Sequence, residues 1–245
     1  MNIKTILFFS LAGACWATSL PAPVTLAECV DFTVTDDLFS CSVSGNDASA
    51  SGSVVLSPFV SLTAESNSGP INDFFNPGAG VFLSAKYSFQ VTGGSPGDKV
   101  PIMIASGLTA NGSSEGHAYG FAEVVVQTSY GTASAVVCSN GTCGTTDTTF
   151  SGAFGFFANS GEIATIQLEA EASSGDSPLA ESANASADPF IFVDPNFAGA
   201  ANYSIEVSPG VGNGLPSSAP EPGTLGLAGG FLGVVVAVRR RYFSA

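Results

Sequence analysis

Basic residues are nearly missing from this chain. Between Lys4 and Arg239 only Lys86 and Lys99 are basic, and His117 is the sole histidine. Across residues 18–219 those two lysines face nineteen carboxylates, all the acids except Glu221, for a net charge of −17. Such a field repels phosphate backbones and anionic lipid, which argues against nucleic acid as a partner and favours cations or a basic one, with solubility as its plain consequence. The scarcity of His, Lys and Arg also leaves little from which to build a tuned acid–base site, so a non-catalytic protein is expected.

Helical periodicity is absent between the two termini, and no βαβ alternation occurs. Proline and glycine are frequent instead, and apolar stretches alternate with polar residues between them. Tyr87, Phe89 and Val91 alternate with Ser88, Gln90 and Thr92, a half-buried strand that stops at the 93–98 turn. Residues 100–110 should return from that turn. Further strands are expected at 118–130, 133–137, 148–157 and 162–172, with the last two paired across Asn159-Ser160-Gly161. In 162–172, Ile166, Leu168 and Ala170 face the core while Gln167, Glu169 and Glu171 face water. Pro58 divides the apolar stretch 53–63, and 65–80, with Phe74 and Phe75, reads as a loop. Residues 185–193 and 203–207 close the domain. Strands about every dozen residues predict an all-β chain, a single β-sandwich of jelly-roll type over 18–207, followed by a flexible linker at 208–219.

The first 17 residues have Lys4, an apolar core and small residues at Cys15 and Ala17. They read as the helix of a secretory signal peptide cleaved after Ala17. Export to an oxidising compartment leaves Cys29, Cys41, Cys138 and Cys143, an even number that suggests two disulfides. Four cysteines allow three pairings. The Asn140-Gly141 turn signal between Cys138 and Cys143 brings those two face to face, which leaves Cys29 with Cys41. Neither spacing is Cys-x-x-Cys, so zinc is not expected.

Three weaker signals remain. Gly93-x-Ser95-x-Gly97 matches a hydrolase nucleophile elbow, but Pro96 and Pro101 replace the required helix, so it reads as a turn. His117 sits in a Gly/Ser-rich loop and reads as solvated. Calcium is a possible cofactor through Asp31, Asp36 and Asp37, or through Asp188 and Asp194, though neither set forms a known loop motif. Sugar binding needs exposed aromatics, and the sequence does not sort Phe74, Phe75, Tyr119 and Tyr130 into surface and core.

The C-terminal part is more specific. Pro220-Glu221-Pro222 is followed by a Gly-rich apolar run at 224–238 and then by Arg239, Arg240 and Arg241. As a helix the run spans roughly 22 Å against a hydrocarbon core of about 30 Å, short for a permanent anchor. The arginines should stay cytoplasmic, since each costs about 2.5–3.5 kcal/mol to insert. This order of parts, over residues 220–245, resembles the PEP-CTERM sorting signal of Gram-negative bacteria. The resemblance implies passage through the general secretion machinery and a transient single transmembrane helix in the inner membrane. It further implies removal of the tail at Pro220-Glu221-Pro222 by an exosortase, and delivery to the cell surface or exopolysaccharide. The stretch from Ala187-Asp188-Pro189 through Asp194-Pro195 and Tyr203 to Ser208-Pro209-Gly210 is also similar to the end of PEP-CTERM cargo domains, a likeness that names no activity.

The mass of the exported protein checks this reading. It should correspond to a chain starting near Thr18 and ending near Pro220-Glu221-Pro222; a surface form still carrying Arg239, Arg240 and Arg241 sinks the sorting assignment in favour of a plain anchor.

Overall fold

The computed structural model describes residues 19–30, 39–44, 47–70, 78–113, 117–139, 143–175 and 179–214. The expected signal peptide and sorting motif, with the apolar run and its arginines, therefore lie outside the described residues. Within them the chain forms two antiparallel sheets packed face to face, a β-sandwich. The front sheet contains β1 (Val24–Val30), β5 (Ala79–Gly93), β10 (Ile163–Ser174), β7 (Tyr119–Thr128) and β8 (Gly131–Cys138) in that order. The short β12 (Tyr203–Val207) lies along the same edge of β5 as β1, pairing with its last residues, Phe89 to Gly93. The back sheet runs β2 (Ser40–Ser44), β3 (Ala48–Val55), β4 (Ser61–Ser68), β11 (Glu181–Val193), β6 (Lys99–Gly112) and β9 (Thr149–Asn159).

From β4 to β11 the chain changes sheet at every connection but one, the β7–β8 hairpin. This overturns two expected pairings. β6 does not return beside β5, and β9 and β10 do not form a hairpin: β9 pairs with β6, while β10 lies between β5 and β7. The turn residues do reverse the chain, with Gly93, Gly94, Gly97 and Gly161 at positive φ, but reversal alone does not choose the partner. Crossing to the other sheet places the apolar face of each strand opposite another apolar face, which a flat hairpin does not. The two corners then hydrogen-bond to each other, Gly97 N to Ser160 O at 2.9 Å and Ser160 N to Asp98 O at 2.8 Å.

The core tapers. At one end it is filled by Phe89, Ile102, Ile104, Ile166, Leu168 and Ile191, all essentially inaccessible. Toward the other it becomes alanine: Ala64, Ala110, Ala122, Ala170, Ala172, Ala183 and Ala185. Small side chains bring the sheets together until backbone meets backbone. A Cβ on Gly120 would lie 2.7 Å from the carbonyl oxygens of both Asn111 and Asn184. Inward serines finish this end, with the Ser66 hydroxyl donating to Ala79 O at 2.8 Å and bonding the Ser174 hydroxyl at 2.7 Å. That pattern explains why 65–68 belong to β4 rather than to a loop. A Glu-Ser-Asn-Ser stretch reads as irregular, yet Ser66 and Ser68 are buried and their alternation is that of a strand. β3 likewise starts at Ala48, with Ala48, Ala50 and Gly52 turned inward.

Both disulfides form as expected. Cys29–Cys41, with Cα atoms 5.7 Å apart, joins β1 of the front sheet to β2 of the back sheet. Cys138–Cys143, at 6.1 Å, closes the loop that leaves β8, and because β9 lies in the opposite sheet it anchors a crossover rather than a hairpin register. Two such bridges mark an oxidising, extracytoplasmic environment.

The packed body also runs beyond Val207. Ser208 N donates to Ser88 O at 2.9 Å, and Ser88 N to the Ser208 hydroxyl at 2.9 Å. The Asn213 amide receives Ile191 N at 3.0 Å and donates to Ile191 O at 2.8 Å, filling the edge of β11 that β4 leaves open past Ala187. Residues 208–214 are therefore part of the sandwich, and a linker cannot begin before 215. Gly and Pro content suggested a flexible segment, but these backbone groups find partners.

The close contact of the sheets predicts a steep response to one methyl group. Gly120→Ala should destabilise the fold by about 1–3 kcal/mol, the usual range for overpacking. Denaturant unfolding measures it, and a loss below about 0.5 kcal/mol would show that the sheets separate freely at this end.

Candidate ligand-binding face

The outer surface of the front sheet carries a pattern that strand alternation creates. In β7 the outward residues are Tyr119, Phe121 and Glu123, in β10 Glu169, Glu171 and Ser173, and in β5 Phe82 and Ser84, while their neighbours are buried. Register then lines them up. One row across four strands reads Glu28, Phe82, Glu171, Phe121, and the next places Ser84, Glu169 and Glu123 side by side. The Tyr119 and Phe121 rings stack along β7 with centroids 6.4 Å apart. Beside them Gly78, Gly80 and Ser173 leave a shallow depression of about 430 Å³, bordered by Phe82 and Glu171.

This packing changes the acids. Burial pushes the Glu123 and Glu171 carboxyls above the ordinary carboxylate value, and the charge of Glu169 adds to it for both. Glu169 itself accepts a hydrogen bond from Gln167 Nε2 at 2.7 Å. The sequence placed Glu169 and Glu171 on a wet face, which is correct for the side of the sheet. They are nevertheless only partly exposed, Glu171 because it lies between the Phe82 and Phe121 rings.

A second aromatic cluster sits at the large-core end. Lys99 Nζ lies 4.0 Å from the Phe157 ring centroid and 4.7 Å from that of Tyr130, whose hydroxyl donates to Asn159 Oδ1 at 2.6 Å. Glu162 accepts bonds from the backbone N–H groups of Asn159 and Ser129 and from the Ser129 hydroxyl. Burial raises its pKa, yet these bonds outweigh it and hold the value below normal. The cluster fastens the 128–131 hairpin to the β9–β10 corner, and its ammonium is already held by its own rings.

The other proposed sites come apart. Asp188 accepts Gly107 N at 2.8 Å on the outside of the back sheet, and burial raises its pKa despite that bond. Asp194 closes the following turn by accepting Asn196 N at 2.9 Å. Six residues of extended chain, on the order of 20 Å, separate the two, so they cannot share the 2.3–2.6 Å shell of one calcium ion. Asp31, Asp36, Asp37, Phe74 and Phe75 lie outside the described residues. Among the described residues no group of three His, Cys, Asp or Glu is arranged to hold a metal ion. Ser95 is an exposed turn residue whose N–H donates to Asp98 Oδ2 at 2.7 Å, with a strand rather than a helix after it. His117 is exposed just before β7.

No protein-family model matches the chain, and none of the curated proteins is similar to it. Glu123, Phe82 and Phe121 were not singled out from the sequence. Their signal was there in Tyr119-x-Phe121-x-Glu123, a period of two that puts all three on one face, but only register places them beside β5 and β10.

The raised carboxyl values carry a sign. Glu123 and Glu171 hold protons more tightly folded than unfolded, so they cost stability above their folded pKa and cost nothing below the unfolded value of about 4.3. Glu169→Gln keeps the hydrogen-bond acceptor and removes the shared charge. It should stabilise the fold at pH 7 by on the order of 0.5 kcal/mol, less at pH 4, and lower both titration midpoints. Denaturation at the two pH values and carboxyl NMR titration check this; unchanged midpoints refute it.

Proposed function

We propose that this chain is a non-catalytic protein of the cell surface or extracellular matrix, exported and sorted by its C-terminal PEP-CTERM-like signal and acting there through glycan binding. The observation that carries the binding half is the row of phenyl rings and carboxylates on the outer front sheet, next to a shallow depression. Aromatic faces pack against the C–H faces of sugar rings, and carboxylates accept hydroxyl hydrogen bonds. Export is supported by the two disulfides, by the signal-like N-terminus and by the order Pro-Glu-Pro, apolar run, Arg cluster. Exosortase, the secretion machinery and exopolysaccharide are the partners this reading implies.

We also read the sandwich as a jelly roll. Support comes from the orders β4-β11-β6-β9 and β5-β10-β7-β8, in which successive strands alternate sheets except across the β7–β8 hairpin, the pattern of two interlocked Greek keys.

One feature favours a hydrolase as the second reading. Glu123 and Glu169 are directly opposite in register, as the neighbouring carboxylates of a retaining glycosidase would be, and burial raises the Glu123 pKa, the direction a general acid needs. The open, flat face weighs against it. Deleting the gene should reduce exopolysaccharide retention, and the exported protein should bind oligosaccharides without cleaving them. Release of reducing ends that Glu169→Gln abolishes would overturn the non-catalytic assignment.

A further inference from the structure

The charge and geometry of the outer front sheet say which glycan it takes. Along one row carboxylate and phenyl alternate strand by strand, Glu28, Phe82, Glu171, Phe121. Neighbouring strands are about 4.8 Å apart, so four strands offer a track of roughly 15 Å on which charged and apolar contacts alternate. Glu169 and Glu123 lie on the adjoining row, so the surface presents several negative charges within one short stretch of sheet.

Among the described residues Lys86 is the only basic one on this face. It sits opposite Gln167, one row beyond Glu169.

We propose that this face binds a cationic glycan, a strand of amino sugars with free ammonium groups, laid across the Glu28–Phe82–Glu171–Phe121 row. The inference rests on the glycan-binding reading above and adds its charge. Each ammonium meets a carboxylate and the face of an adjacent ring, a combination that stabilises a cation more than either contact alone. The sugar rings lie against Phe82 and Phe121, and the depression over Gly80 and Ser173 seats one of them. A uronate polymer is repelled by the same carboxylates. A bare metal ion fits poorly, because it needs a converging oxygen shell, which these residues do not form, and gains nothing from phenyl rings.

The test is calorimetric titration of the exported protein with three oligosaccharides of equal length: β-linked glucosamine, its fully N-acetylated form and galacturonate, each with and without calcium. Glucosamine should bind about tenfold more tightly than the acetylated oligomer, with galacturonate not binding. Glu171→Gln should erase that preference, and Phe121→Ala should weaken both ligands by a similar factor, each variant first shown to unfold like the parent. Equal affinity for acetylated and free amino oligomers, or a preference that survives Glu171→Gln, overturns the cationic assignment and leaves glycan binding standing. Failure of every oligomer to bind overturns both readings, as does Glu171-dependent calcium binding without oligomer binding. Glu169→Gln separates function from damage, since it should lower glucosamine affinity while raising stability.

Discussion

Backbone contact between the sheets at Gly120 is the constraint on which the rest of this structure depends. Where two sheets approach so closely, only alanine, glycine and serine fit between them, and the polar groups they bring must be satisfied across the gap. The Ser66–Ser174 pair does this, with Ala79 O as a second acceptor. A thin interior buries less apolar area per strand than an interior of leucine and isoleucine. The Cys29–Cys41 bridge between sheet edges and the Asn213 clamp on Ile191 add cohesion that the alanine end alone supplies sparingly.

Alternation shapes the outside and puts the aromatics of these strands on the outer face. Phe82 stands between the inward Val81 and Leu83, and Phe121 between the inward Gly120 and Ala122. Rings on an outer face screen their neighbours from water, so Glu171 and Glu123 become half-buried acids instead of freely solvated ones. Their raised pKa values follow from burial first and from Glu169 second.

Carboxylates at the two ends behave oppositely for one reason. Glu162 is partly buried too, but it receives backbone N–H and hydroxyl donors that favour its charged form. Glu123 and Glu171 have an acid as their main electrostatic neighbour. The first arrangement is structural, a latch between two loops that is strongest when ionised. The second holds unrelieved repulsion on an open surface, where a cation can relieve it.

Alternation, turn chemistry and cysteine count are local properties, and they were enough to specify an all-β sandwich, most of the strands and both disulfides. Period-two patterning places Ile166, Leu168 and Ala170 inward whatever β10 pairs with, and the Asn140-Gly141 signal pairs Cys138 with Cys143 because so short a loop has few alternatives. Which strands become neighbours is not local. The 93–98 and 159–161 turns look like hairpin turns and serve as corners between sheets, since burying both faces of the interior outweighs pairing with the adjacent strand in sequence. The serine-rich end of β4 became strand because Ser66 turns inward, where the opposing sheet lies near enough to hydrogen-bond it. The carboxylate–phenyl row is a matter of register among β1, β5, β10 and β7, set by pairings between residues up to about 90 positions apart, and no single stretch of sequence contains it.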